Sequence, residues 1–558
     1  MKKILLFVLL ALSPEGLVSQ QAVGSAYAAR PKLVVLLVIE QLRGDYLNRY
    51  SADYKTPSGF NLFLKRGAYF PECYFDYVNT VTASGHATIA TGSYTDGHNI
   101  SSDQWWDLDR TSTRPISSVE DLRYPLIGTT NDAARGASPQ NELASTLGDE
   151  VVLSTGGEAK LFGVSLKDSE AILLSGHASS GAYWIDRGTG RFITSAYWKS
   201  ALPQWVEEFN HSGRAEQARR EAHASEGSFY DQIGARPAAV SYELDFVRAL
   251  VTAENLGNHD VTDVLTISFP STDFLGHQVG PDSPEQRKML EAIDENLNSF
   301  FTWLGGRMDG GLDNVWIALT GDHGVAPSPS VAASVGMPAA SLSNAMLMEE
   351  LNRNLNERLS PKKTAGYVLG IDLPYIDLDQ RAFEAAGRTE AQAEELVASI
   401  LLAAVRAQQI NKSGNSRSLQ SATVRQVYTK AQIAAGAVPN TIEGRRVLNS
   451  FSTNGGWWVL MIPGMYQMAG HESSGTTHDS PYSYDRHVPL AFYGSPFKTG
   501  TYLQKVEPVD LAVTFAALLG VNRPSSSVGR VLLEALHDPS VSKAADESQI
   551  RKSPTPRP

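Results

Sequence analysis

Five short apolar runs punctuate the chain, and each has polar residues of one chemical kind beside it. Val34–Ile39 ends at Glu40, and Val264–Phe269 leads into Ser271-Thr272-Asp273 with His277 four residues on. Val315–Leu319 leads into Thr320-Gly321-Asp322-His323-Gly324, and Leu161–Leu166 ends at Lys167. Thr476-Thr477-His478 precedes the last run, His487–Tyr493. Runs this short and uniformly apolar predict strands buried on both faces of a parallel sheet. Helical patterns over Arg214–Glu226, Leu342–Leu359 and Thr389–Gln408 complete an α/β reading. In such sheets ligands bind outside the carboxyl ends of the strands. Carboxylates and imidazoles gathered at that edge point to a two-metal hydrolase.

The start of the chain carries a different pattern. Lys2 and Lys3 precede an apolar stretch, Ile4–Leu12, too short to span a bilayer, and Ser25-Ala26-Tyr27-Ala28 offers a cleavage site after Ala28. Residues 1–28 are therefore expected to be a signal peptide, and the mature protein to be exported, periplasmic or secreted. No later segment approaches the roughly 20 apolar residues of a membrane span. The formal net charge of −12 becomes about −13 without the signal peptide, and no basic stripe offers a nucleic-acid surface. Cys73 is the only cysteine, which excludes an intramolecular disulfide, and its apolar setting reads as a packed thiol.

About 530 mature residues exceed one ordinary core. Residues 29–540 are expected to form one catalytic domain with insertions over about 104–260 and 330–475, serving as a cap. The polar, proline-punctuated stretch 541–558 is expected to be a disordered tail.

Thr80-Val81-Thr82-Ala83-Ser84-Gly85-His86 opens a predicted helix that ends near Gly92. A hydroxyl at a helix N-terminus faces free N–H groups and the positive end of the helix dipole, which favours phosphate. Thr82 alone reads more readily as a capping residue, because N-cap Thr is common; the other metal-type residues reverse this and turn the reading toward a nucleophile. His86, His98 and His177 are expected to support the site rather than ligate, and Trp105 and Trp106 to pack.

Taken together, Thr80-Val81-Thr82-Ala83-x-Gly85-His86, Thr91-Gly92-Ser93, His98, Ser165-Leu166-Lys167-Asp168, Asp273-x-x-x-His277, Gly321-Asp322-His323-Gly324 and Thr477-His478 resemble the alkaline phosphatase superfamily. Within it the chain is most similar to the phosphate-irrepressible alkaline phosphatases, whose nucleophile is threonine; nucleotide pyrophosphatase/phosphodiesterases are related. The resemblance spans the mature chain to about residue 535. It implies an alkaline-phosphatase-like α/β core with a mainly parallel sheet flanked by helices. It also implies two Zn2+: Asp273, His277 and His478 on the first, and Glu40, Thr82, Asp322 and His323 on the second. Thr82 would attack phosphorus to give a phosphothreonine that water then hydrolyses. The implied substrate is a small phosphate ester, and the expected form is a monomer.

Three positions depart from the family. Glu40 stands where the family has Asp, which moves the carboxylate by about a bond length. Asp103 stands where the family has an Asn that donates to a phosphoryl oxygen, and an ionised Asp cannot donate. It is therefore protonated, bound to a cation, or turned elsewhere. Ser169 stands where the monoesterases carry an arginine two residues after Lys167, leaving Lys167 as the substrate-binding point charge. A monoester dianion needs more positive charge than a diester monoanion. A phosphodiesterase on the same scaffold, or a degenerate metal- or phosphate-binding member, are thus the alternatives to a phosphomonoesterase. Sulfatase chemistry is disfavoured because the nucleophile position holds Thr82.

Overall fold

A computed structural model of the chain describes residues 30–129, 135–225, 227–359, 365–411, 424–469 and 475–537. The expected signal peptide, residues 1–28, and the expected tail, 541–558, lie outside the described residues. Pro31–Leu536 forms one unit.

Leu33–Ile39 is buried at every position, as a strand covered on both faces must be. It pairs in parallel with Val315–Thr320 on one side and Asp263–Phe269 on the other. Leu161–Val164 and then Gly181–Ile185 continue the parallel set. The sheet has ten strands, in the order 500–501, 68–74, 487–493, 315–320, 33–39, 263–269, 161–164, 181–185, 192–195, 126–127. The core is therefore mixed α/β with a mostly parallel centre.

Alternate strand residues face opposite sides. Leu33, Val35, Leu37 and Ile39 pack with Phe246, Leu250, Leu290 and Leu297 from the Pro237–Ala253 and Pro284–Gly305 helices. Phe162 and Val164 join that cluster. The intervening Gly163 faces the Asp168–Ser175 helix, where a Cβ would meet the Ala171 carbonyl oxygen at 2.1 Å. That helix packs with the Thr82–Thr91 helix, which in turn meets Val509–Leu519.

One strand differs from the expected direction. His487–Tyr493 runs antiparallel to Val315–Thr320, with Leu490 opposite Thr320. The reversal is what brings His478 to the site: the start of an antiparallel strand lies at the carboxyl edge of its parallel neighbours. Apolar composition reports burial and carries no information on direction.

The two long intervening stretches are built differently. Residues 104–260 contribute four strands to the central sheet. Residues 330–475 form a separate antiparallel sheet ordered 368–372, 375–378, 457–463, 424–429, covered by the Asn344–Leu359 and Glu390–Asn411 helices.

Candidate active site

Glu40, Asp273 and Asp322 follow the carboxyl ends of three adjacent parallel strands, and Lys167 follows the next. The Thr82–Thr91 helix enters the same edge. Its capping position falls to Val81, so Thr82 is the first helical residue and its side chain caps nothing. The Thr82 hydroxyl lies instead 3.3 Å from His323 Nε2. Gly85 allows this approach, because a Cβ there would sit 2.3 Å from the Asp322 carbonyl oxygen.

Asp273, His277 and His478 bring their ligand atoms within 4.8 Å of one another, a geometry able to hold a metal ion. His277 Nδ1 meets the Thr476 carbonyl at 2.8 Å, His478 Nδ1 meets that of Thr80 at 2.7 Å, and His323 Nδ1 meets that of Gly324 at 2.9 Å. A carbonyl only accepts, so each Nδ1 carries a proton and Nε2 is the ring atom turned toward the site. The His323 and His478 rings stack at 3.7 Å between centroids, which joins the two ligand groups along one wall.

Glu40, Asp322 and His323 are fully buried, and Asp273 and Thr82 nearly so. Asp322 Oδ1 accepts from the backbone N–H groups of Gln41 and His323, both at 2.9 Å. Asp322 Oδ2 and Glu40 Oε1 have no hydrogen-bond donor. Buried carboxylate oxygens are costly in that state, which fits a cation. Burial pushes the Asp322 carboxyl up to about 7, with Asp273 adding to it. Burial would lower His478, but Asp479, 2.8 Å from its Nδ1, and Asp273 outweigh this and raise it to about 10.

Lys167 Nζ lies 2.6 Å from Glu40 Oε2, 3.5 Å from Asp273 Oδ2 and 3.7 Å from Glu170 Oε1. Burial opposes its charge, and these carboxylates hold it protonated. One ammonium thus faces several buried carboxylates, an imbalance that cations would relieve. Ser169 is buried and its hydroxyl lies 3.4 Å from Glu170 Oε1. Asp103 Oδ1 accepts the backbone N–H of Ala83 at 2.8 Å, in the first turn of the Thr82 helix. Of the three possibilities for Asp103, turning elsewhere is the one this contact removes.

His86 is fully buried between the Thr82 carbonyl and Ser268 Oγ, each at 2.8 Å, and burial depresses it to about 3. His98 is likewise buried and depressed to about 3. His177 is 39% exposed, 3.5 Å from Asp149. None of the three belongs to the ligand cluster of Asp273. Trp105 is buried.

Two residues escaped the sequence reading. Gln41, in a left-handed turn at φ 59, ties the two ligand groups together: its backbone N–H binds Asp322, and its Nε2 donates to Asp273 Oδ1 at 2.7 Å. Glu170, fully buried, adds negative charge beside Lys167. Its position three residues after Lys167 on a helix start was the available signal.

A threonine at the start of a helix and paired carboxylate–histidine groups able to hold metal, gathered at the edge of a mostly parallel sheet, are the arrangement of a metal-assisted ester hydrolase. The chain matches the type I phosphodiesterase/nucleotide pyrophosphatase family over residues 34–436, and it belongs to that family. It is similar to alkaline phosphatase PafA of Elizabethkingia meningoseptica, 30% identical over 544 residues, 91% of this chain and 95% of that protein. It is also similar to alkaline phosphatase PhoV of Synechococcus elongatus, 28% identical over 555 residues, 93% of this chain and 95% of that one. The crystal structure of wild-type alkaline phosphatase PafA superposes with a TM-score of 0.79 at 28% identity, covering 91% of this chain and 99% of that chain. Among the described residues no helix is long and apolar enough to cross a membrane.

Proposed function

We propose that the chain is an exported, monomeric, zinc-dependent phosphomonoesterase that hydrolyses small phosphate esters through a phosphothreonine on Thr82. The observation that carries this is the Thr82 hydroxyl at a helix N-terminus, 3.3 Å from an inward-facing His323 Nε2. The relatives named alkaline phosphatase support the monoester class.

Asp273, His277 and His478 would hold one ion, and Glu40, Thr82, Asp322 and His323 the other. Imidazole and carboxylate suit zinc, and the donorless oxygens of Glu40 and Asp322 fit a cation. Bound there, two such ions supply Lewis acidity that offsets charge on phosphoryl oxygens and lowers the pKa of a hydroxyl. The remaining work falls to the chain. The Thr82 hydroxyl gives up its proton to solvent, and the helix end stabilises the resulting alkoxide. The alkoxide attacks phosphorus as the bond to the leaving oxygen breaks and that oxygen takes a proton from solvent. With Glu40 and Asp273 engaged as ligands, Lys167 would be left to attract a non-bridging oxygen. Water then attacks the phosphothreonine, the bond from phosphorus to Thr82 Oγ breaks, a proton from that water returns to Thr82 Oγ, and phosphate leaves.

A second reading, phosphodiesterase action on the same scaffold, is favoured by the contacts at two of the three departures. Asp103 occupies the Ala83 N–H, and Ser169 lies against Glu170 instead of supplying a guanidinium. A diester monoanion asks less of that flank. Turnover of nitrophenyl phosphate and bis-nitrophenyl phosphate by zinc-loaded and chelated protein decides between them. Chelator-sensitive monoester preference supports the proposal, diester preference supports the second reading, and zinc retention without turnover defeats both.

A further inference from the structure

A cavity of about 380 Å³ opens beside Lys167, within the size range of small-molecule sites. It lies past the carboxyl ends of Leu161–Val164 and Gly181–Ile185, farther along the edge that carries the candidate metal ligands. Leu166, Trp184, Ile185 and Ile193 line it and are all nearly inaccessible. Lys167 and Arg187 line it as well.

These two cations are linked through a stack of rings. Lys167 Nζ sits 4.7 Å from the centroid of Phe274, Phe274 meets Tyr230 edge-on at 4.6 Å, and Arg187 Cζ sits 4.8 Å from Tyr230. Such contacts orient a guanidinium without neutralising it. Among the described residues no carboxylate forms an ion pair with Arg187, whereas Lys167 has three carboxylates within 4 Å. Two acids share the rim. Asp186 is engaged by Thr129 Oγ1 at 2.7 Å and by the N–H and hydroxyl of Thr189 at 2.9 and 2.8 Å. Asp168 stands in the first turn of its helix, where the dipole offsets its charge.

We propose that this cavity is a leaving-group subsite for phosphate esters whose leaving group pairs an apolar, ring-sized body with a terminal anion. The body lies against Trp184 and Leu166, and the anion pairs with Arg187. The proposal rests on the hydrolase reading above, and its test separates the two.

The probes are phenyl phosphate and para-carboxyphenyl phosphate. Arg187→Ala should lower kcat/KM for the carboxylated ester by roughly fivefold, as a partly exposed charge pair supports. The effect should fall on KM, leave phenyl phosphate unchanged, and be partly restored in Arg187→Lys. Comparing each substrate across variants cancels the different reactivities of the two leaving groups. An unchanged ratio overturns the subsite, and so does an equal loss on both substrates, which would put Arg187 on the phosphoryl group. Calorimetry in a Thr82→Ala background judges binding without turnover. Tighter binding of the carboxylated ester that disappears with Arg187→Ala supports the subsite, and equal or no binding of the two esters overturns it. If the native protein hydrolyses neither ester, the functional reading fails while the calorimetric contrast still decides the subsite.

Discussion

The histidine-bearing side of the site and the Lys167 flank lie on one sheet edge, but they balance their polar groups in opposite ways. On the histidine side, each Nδ1 is spent on a backbone carbonyl and each Nε2 faces a neighbouring ligand. On the Lys167 flank, the groups satisfy each other: Lys167 with Glu40, Asp103 with the Ala83 N–H, Ser169 with Glu170. The first arrangement is incomplete without a cation. The second is self-complementary, so a substrate anion entering it must displace internal contacts. The two sides meet at Glu40 and Asp273, which lie in the proposed ligand sets and also pair with Lys167. Asp103 and Ser169 bond instead to the Ala83 N–H and to Glu170, neither of them a proposed ligand, and can be altered with the ligands left in place.

Thr82→Ala gives the largest expected effect: turnover falls by about 10⁴-fold while the ion held by Asp273, His277 and His478, which does not involve Thr82, is retained by elemental analysis. A variant with full turnover would remove Thr82 from the chemistry. Chelation acts first on the carboxylate–histidine groups and, through Glu40 and Asp273, returns Lys167 to its internal ion pairs. It should abolish turnover and lower stability by about 4 kcal/mol relative to protein held at a thousandfold excess over Kd, measured by denaturant titration. Gln41→Ala sharpens the comparison, since it removes the Nε2 donor to Asp273 and keeps the backbone N–H to Asp322. Metal affinity should drop by about 10- to 100-fold, as loss of an orienting partner does, with the monoester-to-diester ratio unmoved. The smallest effect belongs to the Lys167 flank. Asp103→Asn combined with Ser169→Arg should raise monoester over diester turnover by about tenfold at unchanged metal affinity. A ratio that stays flat would show that substrate charge is read elsewhere.

The strand-end residues were legible because each one adjoins an apolar run, and a run of six or seven buried residues can end only at a sheet edge. Gln41 was not legible. Its role depends on a left-handed turn and on a partner 232 residues away, and neither leaves a pattern in neighbouring residues. Of the four strands within 104–260, Leu161–Val164 was legible as an apolar run ending at Lys167, whereas Leu126–Ile127 and Phe192–Ser195 are too short to stand out from loops. The contact of Asp103 with the Ala83 N–H was hidden for a third reason. The sequence identifies an acid in place of an amide, and only packing decides which donor it meets.

That contact bears on how the molecule lives beside its own product. A carboxylate fastened to the chain competes for the helix-end N–H at an effective concentration in the millimolar range or above. On the proposed function, a departing phosphate would leave behind a seat that Asp103 refills from within, and free phosphate would have to displace that carboxylate to return. The inhibition constant for inorganic phosphate should accordingly tighten in Asp103→Asn. Phosphate-rich surroundings would slow the native protein less than they slow one whose helix end stands vacant.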